Sequence, residues 1–217
     1  MSLHISVLAI EADYLAELPA FFEQADYRVL KTTTVRTSAE AGQLLNDQPD
    51  DRNKVVKVAY LQDGWTMLVD PEMVLFADND LVGGLSKKLH SRILGWVCEG
   101  VSGTYGFSFF NNGQIRCKLS VDGKIAEDTG VPIGEEAAIA WDNVFEDDIL
   151  KLAERLGAPF HYLEEDREYQ VFLLDESGMD EAQPSRSVPT VPQPPTPKPK
   201  DRPVPSPSSK QWWQFWK

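Results

Sequence analysis

The sequence predicts an α+β fold, an antiparallel sheet with helices packed on it, followed by a disordered, proline-rich C-terminal tail. Three observations predict it. Helical and strand-like stretches follow one another in mixed order, with hairpins between strands, which is the pattern of an antiparallel sheet and not of repeated βαβ units. Residues 92–130 form a run of short strands punctuated by Asn-Asn-Gly and Asp-Gly, the residues that two-residue hairpin turns require. Residues 184–217 hold 10 of the chain's 15 prolines, so this part buries too little apolar surface to offset its ordering entropy.

Taken in order, HISVLAIEA alternates and reads as a first strand. DYLAELPAFFEQADY follows with Leu15, Leu18, Phe21 and Phe22 at helical spacing, and Pro19 must sit early in that helix or kink it. YRVLKTTTV is a second strand. TSAEAGQLLND is a helix opened by Thr37 or Ser38, with Glu40 close behind in a near capping-box pattern. KVVKVAYL and GWTMLVD are strands joined across Gln62, Asp63 and Gly64. ADNDLVGGLSKKLHSR is a helix capped by Asp78 or Asn79, with Leu81, Leu85 and Leu89 on one face. Its two glycines each cost roughly 1 kcal/mol relative to alanine, which suggests a role in close packing. Past Gly113 the alternation is clean. Ile115, Cys117, Leu119 and Val121 point one way and Gln114, Arg116, Lys118 and Ser120 the other, as in a half-buried antiparallel strand. NVFEDDILKLAERLG is helical, with Phe145, Ile149, Leu152 and Leu156 as its stripe. EYQVFLLDE closes the fold as an apolar strand. The organisation expected is an acidic globular domain over residues 1–176, a linker over 177–211 and an aromatic motif over 212–217.

Charge divides the chain the same way. The net charge is -13, but from residue 184 onward six Lys/Arg face one acid, Asp201. The preceding residues therefore hold 15 of the 21 basic and 33 of the 34 acidic side chains. An acidic body argues against nucleic acid as a partner, because phosphate neutralisation needs a basic face on the fold, and it favours basic protein partners. The N-terminus lacks the basic region of a signal peptide and its apolar run is broken by Glu11 and Asp13. No stretch approaches the roughly 18 apolar residues of a spanning helix. The expected setting is cytoplasmic, with Cys98 and Cys117 reduced and acting as small core hydrophobes.

Motifs of catalysis are scarce. In EGVSGTYG, Gly100 and Ser102 fit the start of a G-x-S-x-G elbow, yet position 104 is threonine and a strand follows, so a glycine-rich hairpin is the reading. His4, His90 and His161 are scattered, without the spacing of a metal site or triad. DNDLVGG begins like a calcium loop, but at the twelfth position of a loop starting at Asp78 stands Leu89 where glutamate belongs. Neither a metal nor a cofactor is expected. Two acidic clusters, Glu146, Asp147, Asp148 and Glu164, Glu165, Asp166, are candidates for a docking surface toward a basic partner. Trp65, Trp96 and Trp141 read as core.

The last residues, KQWWQFWK, are the strongest functional signal. Trp212, Trp213, Phe215 and Trp216 would share one face of a helix, flanked by Lys210 and Lys217. Tryptophan is a common anchor in protein grooves, and Trp with Lys also suits a membrane interface. The motif is expected to hold a protein partner, with peripheral attachment to a membrane's inner face as the alternative and folding back onto an apolar patch of its own domain as the third reading.

The stretch DGWTMLVDPEMVLFADNDLVGGLSKKLHSRILGWVCEGVSGTYGFSFFNNGQ is similar in layout to uncharacterised bacterial domains: a GWT strand, a helix ending near LSKKL, then a strand pair with aromatic residues and a turn. It also resembles small acidic immunity proteins encoded beside bacterial toxins. The resemblance implies a non-enzymatic binding role in a bacterial cytoplasm and carries no catalytic residues; the proline linker and aromatic tail lie outside it. The expected function is that of a non-enzymatic interaction or adaptor protein. Membrane attachment, toxin neutralisation and an enzyme with an unrecognised site are the alternatives.

Overall fold

The computed structural model describes residues 4–158, 160 and 163–176. Nine strands form one antiparallel sheet: β1 (His4–Ile10), β2 (Arg28–Val35), β3 (Lys54–Gln62), β4 (Trp65–Val69), β5 (Arg92–Glu99), β6 (Thr104–Asn111), β7 (Gln114–Val121), β8 (Lys124–Thr129) and β9 (Tyr169–Asp175). Their order is β2-β9-β3-β4-β1-β5-β6-β7-β8. Four helices complete the α+β fold: α1 (Leu18–Gln24), α2 (Ser38–Asn46), α3 (Asn79–Leu89) and α4 (Glu146–Arg155).

Local chemistry accounts for the element ends. Thr37 caps α2 by accepting a hydrogen bond from the Glu40 amide, and Asp78 caps α3 by accepting from the Leu81 amide. Pro19 stands in the first turn of α1, where its missing N–H costs nothing. The β6–β7 and β7–β8 hairpins turn through Asn112-Gly113 and Asp122-Gly123, both residues of each pair at positive φ. That is the twist-matched geometry the sequence asked for.

The sheet is covered on both faces. On one side α2 and α4 bury Ala41, Leu45, Ile149, Leu152 and Ala153 against Val7, Val58, Met67, Trp96 and Phe107. On the other, α1 and α3 bury Leu18, Phe21, Phe22, Val82 and Leu85 against Leu8, Ala59, Leu68, Ile93 and Phe172. At Gly95 an added Cβ would come 2.7 Å from the Cβ of Phe76, so the missing side chain lets the 3-10 turn Leu75–Ala77 lie on the sheet.

Double coverage corrects four expectations. β7 is not half-buried: Arg116 and Ser120 on its polar side are 3% and 0% exposed. The polar face is closed because Arg116 is bonded to Glu136 and Asp128, and Lys118 lies 5.1 Å over the Trp141 ring. Trp141 is accordingly a half-buried lid, whereas Trp65 and Trp96 are core as expected. In α3 the buried line is Val82, Gly83, Leu85 and Ser86, with Leu81 and Leu89 at its margins. Its glycines are not there for close packing. A Cβ at Gly83 would make ordinary contacts of 3.5 Å or more, and one at Gly84 would meet nothing within 4 Å.

Candidate functional site

α4 packs against β5 and β6 through Ile149, Leu152 and Ala153. Phe145 precedes it as the N-cap, with extended backbone (φ -129, ψ 172), so its ring cannot continue the helical stripe assigned to it from sequence. It is 54% exposed, tilted against Tyr105 at 6.4 Å between ring centroids. Beside the ring lies an open depression of about 590 Å³, lined by Gly100, Tyr105, Phe145, Glu146, Asp147, Asp148 and Lys151. Val101, next to Gly100, is 88% exposed.

Three carboxylates and one ammonium line this surface. Asp148 accepts the Phe145 amide at 3.1 Å, and Asp147 pairs with Lys151 at 3.7 Å. The acidic residues occupy the helix's first turn, where its dipole favours them. Their field reaches inward. Burial, with Glu146 adding to it, pushes up the Tyr105 hydroxyl and the Cys98 thiol. The Cys117 thiol is raised to about 12, again chiefly by burial. Both cysteines are free and buried, as unreactive core groups.

The second acidic cluster sits elsewhere. Asp166 accepts the Ser38 amide at 3.0 Å and its hydroxyl at 3.2 Å, which adds a cap to α2. Glu165 pairs with Arg167, whose guanidinium also donates to the Leu61 carbonyl at 3.2 Å. Glu164 is exposed. Strand register separates the two clusters. Tyr169 opposes Tyr60, Gln62 opposes Trp65, Thr66 opposes Ile10 and Ile10 opposes Ile93. Residues 164–166 therefore lie at the Arg92 end of the strands. The depression opens at the Glu99 end, and α4 runs from one to the other, where the Leu156 carbonyl accepts Arg92 at 3.0 Å. The structure does not join the clusters into one surface. Trp212, Trp213, Phe215, Trp216 and Lys217 lie outside the described residues.

Sequence reasoning missed two buried charge groups. On the α1/α3 face, Lys57 and Asp70 are 0% exposed and Lys57 also pairs with Glu72. The Tyr27 ring lies 5.0 Å from its ammonium. Asp70 accepts in addition the Val74 and Leu75 amides, at 2.9 and 2.8 Å. On the α2/α4 face, Arg116 makes two bonds of 2.7 Å to Glu136 and one of 2.5 Å to Asp128. Both groups tie loops to the sheet. The turn after β5 is similarly knit: Glu99 accepts the Val101 amide at 2.9 Å and pairs with His4, while Ser102 bonds Thr104 at 2.8 Å.

Among the described residues no cluster of three or more His, Cys, Asp or Glu is arranged to hold a metal. No described helix is long and apolar enough to cross a membrane. No family model matches the chain, and no curated protein or solved structure shows a significant likeness to it.

Proposed function

We propose that the chain is a non-enzymatic interaction protein, whose acidic domain docks a basic, aromatic-bearing protein segment at the α4 depression while its C-terminal motif acts as a tethered anchor. The observation that carries this reading is an exposed ring, Phe145, set among Glu146, Asp147 and Asp148. A half-exposed aromatic ringed by carboxylates complements a segment that offers both a cation and an apolar group. The ring supplies burial and the rim supplies orientation. Completing the burial of Phe145 is worth about 1 kcal/mol, half the value of a full phenylalanine. Affinity must therefore come from two points of attachment, which a linker makes cooperative.

The test places a photo-reactive benzoylphenylalanine at position 145 of the full chain in a bacterial host. Discrete protein adducts that weaken with Asp147→Lys are expected. An absence of adducts, or adducts indifferent to the reversal, counts against the reading. A second reading, peripheral membrane attachment, is favoured by the Trp and Lys content of residues 210–217. Flotation of the full chain with neutral and anionic liposomes, lost in a chain ending at Ser209, supports it; failure of both the full chain and a free peptide of residues 210–217 to float with either lipid rejects it.

A further inference from the structure

We propose that the α4 depression is occupied by this chain's own C-terminal motif, Lys210–Lys217, so that the anchor is masked in cis until a partner competes for it. The inference rests on the depression being a docking surface and assigns its resident ligand.

Position argues first. β9 ends at Asp175, which opposes Arg28 and Lys54. The same end of the sheet carries Asp70, His4 and Glu99, since Val58 opposes Val69, Val69 opposes Val7, and His4 opposes Glu99. The chain thus leaves the sheet at the end where the depression opens. Between β9 and β5 lie β3, β4 and β1, four inter-strand steps of about 4.8 Å, or roughly 20 Å. Residues 177–209 separate the exit from Lys210. A flexible chain of that length has a root-mean-square span of about 30 Å, and a polyproline chain reaches about 100 Å. Both bounds exceed the distance needed, so the motif can reach the depression, and tethering brings the effective concentration to the order of 1 mM.

Chemistry argues second. From residue 184 the chain carries six basic side chains against one acidic, with Lys210 and Lys217 flanking the aromatic residues. The depression offers Glu146, Asp147 and Asp148 to those cations and the exposed Phe145 ring, backed by Tyr105, to an indole. Its volume of about 590 Å³ falls within the roughly 300–1,000 Å³ of small-ligand sites. At an effective concentration near 1 mM, a motif whose free-peptide Kd is about 0.1 mM is docked some nine-tenths of the time. A partner or membrane must then be present at about 100 times its own Kd for the motif to expose it by the same margin.

Paramagnetic relaxation in the full chain tests this. A nitroxide on Ser209→Cys, with Cys98 and Cys117 left buried, should broaden amide signals of residues 100–105 and 145–151 and spare residues 164–168. The effect should not depend on protein concentration. It should fade in 0.5 M salt, with Asp147→Lys, and with Trp212→Ser/Trp213→Ser/Trp216→Ser, each variant's remaining spectrum reporting an intact fold. Broadening that appears only when spin-labelled and isotope-labelled chains are mixed means docking between copies and overturns the cis assignment. Uniform or absent broadening overturns docking by the tail altogether. In that event, adducts captured from position 145 leave the depression a partner site and remove only its resident ligand, whereas loss of both results removes the two readings together.

Discussion

Lys57 brings one ammonium to two carboxylates, in a space closed by Tyr27, Asp70 and Glu72. Burial opposes the charge on Lys57, but the attraction of Asp70, Glu72 and Tyr27 outweighs it and holds the ammonium well above its usual range. Asp70 is satisfied by Lys57 and two amides, so the surplus negative charge falls on Glu72, whose side chain is 24% exposed. Burial pushes the Glu72 carboxyl up to about 7 from 4.5, with Lys57 pulling it down and Asp70 and Glu176 pushing it further up. A carboxyl raised on folding binds its proton more tightly in the native state. Its contribution to stability is full below about pH 4.5 and is lost as pH rises through about 7. At about 1.4 kcal/mol per unit, the loss is about 3 kcal/mol or slightly more. Relative to Glu72→Gln, the wild type should therefore weaken between pH 4.5 and 7.5, read from urea unfolding at each pH; parallel profiles would show that Glu72 titrates normally. Lys57→Met should cost about 3–5 kcal/mol by stranding the Asp70 charge, and Lys57→Met/Asp70→Asn should recover part of it.

At the scale of elements, α3 carries an avoidable cost. Gly84 is exposed inside the helix with open space where a Cβ would stand. Gly84→Ala should raise the unfolding free energy by about 1 kcal/mol, shifting the urea midpoint without changing its slope. A destabilised variant would mean that the glycine serves a contact the helix face does not show. The same element shows how much the sequence disclosed. Its cap, which the structure places at Asp78, was legible as one of Asp78 and Asn79, because a short acceptor side chain before an apolar period has one main use. So were the hairpins, where turn chemistry fixes register. From Gln62 opposite Trp65, counting back five residues places Lys57 opposite Asp70, so the buried pair could have been read from the hairpin itself. The Arg116–Asp128 contact could not, because a bulge between Leu119 and Ser120 breaks the count. Phe145 misled for another reason: it fits the 3.6-residue period of α4, yet the cap's extended backbone turns its ring off the stripe. That departure from pattern is what sets an exposed aromatic ring among the depression's charged groups, and it is visible only once the cap dihedrals are known.

Among the described residues the sheet is open, with β2 and β8 at its edges, and no sequence pattern showed which strands these were, since β2 reaches its place beside β9 across the length of the chain. Edge strands present unpaired backbone groups to any neighbouring chain, and proteins guard them with charge and bulges. β8 carries Lys124, Glu127 and Asp128. β2 is the more exposed template: it runs RVLKTTTV, rich in β-branched residues, with Leu30 39% exposed. Its guards are the bulge between Val29 and Lys31 against β9, and the exposed charges of Arg28 and Lys31. Arg28 is committed to Asp175, which leaves Lys31 facing incoming chains. Two β2 edges meeting antiparallel bring two copies of that cation near one another, and the repulsion acts over the roughly 8 Å Debye length of physiological salt. Lys31→Val removes it while improving strand propensity. The weight-average mass in sedimentation should then rise with concentration, where the wild type's does not. Lys31→Glu, which keeps a charge of the other sign, should behave as the wild type. If the valine variant sediments like the wild type up to several hundred micromolar, the bulge alone protects the edge, and the body's net negative charge supplies whatever further repulsion keeps the copies apart.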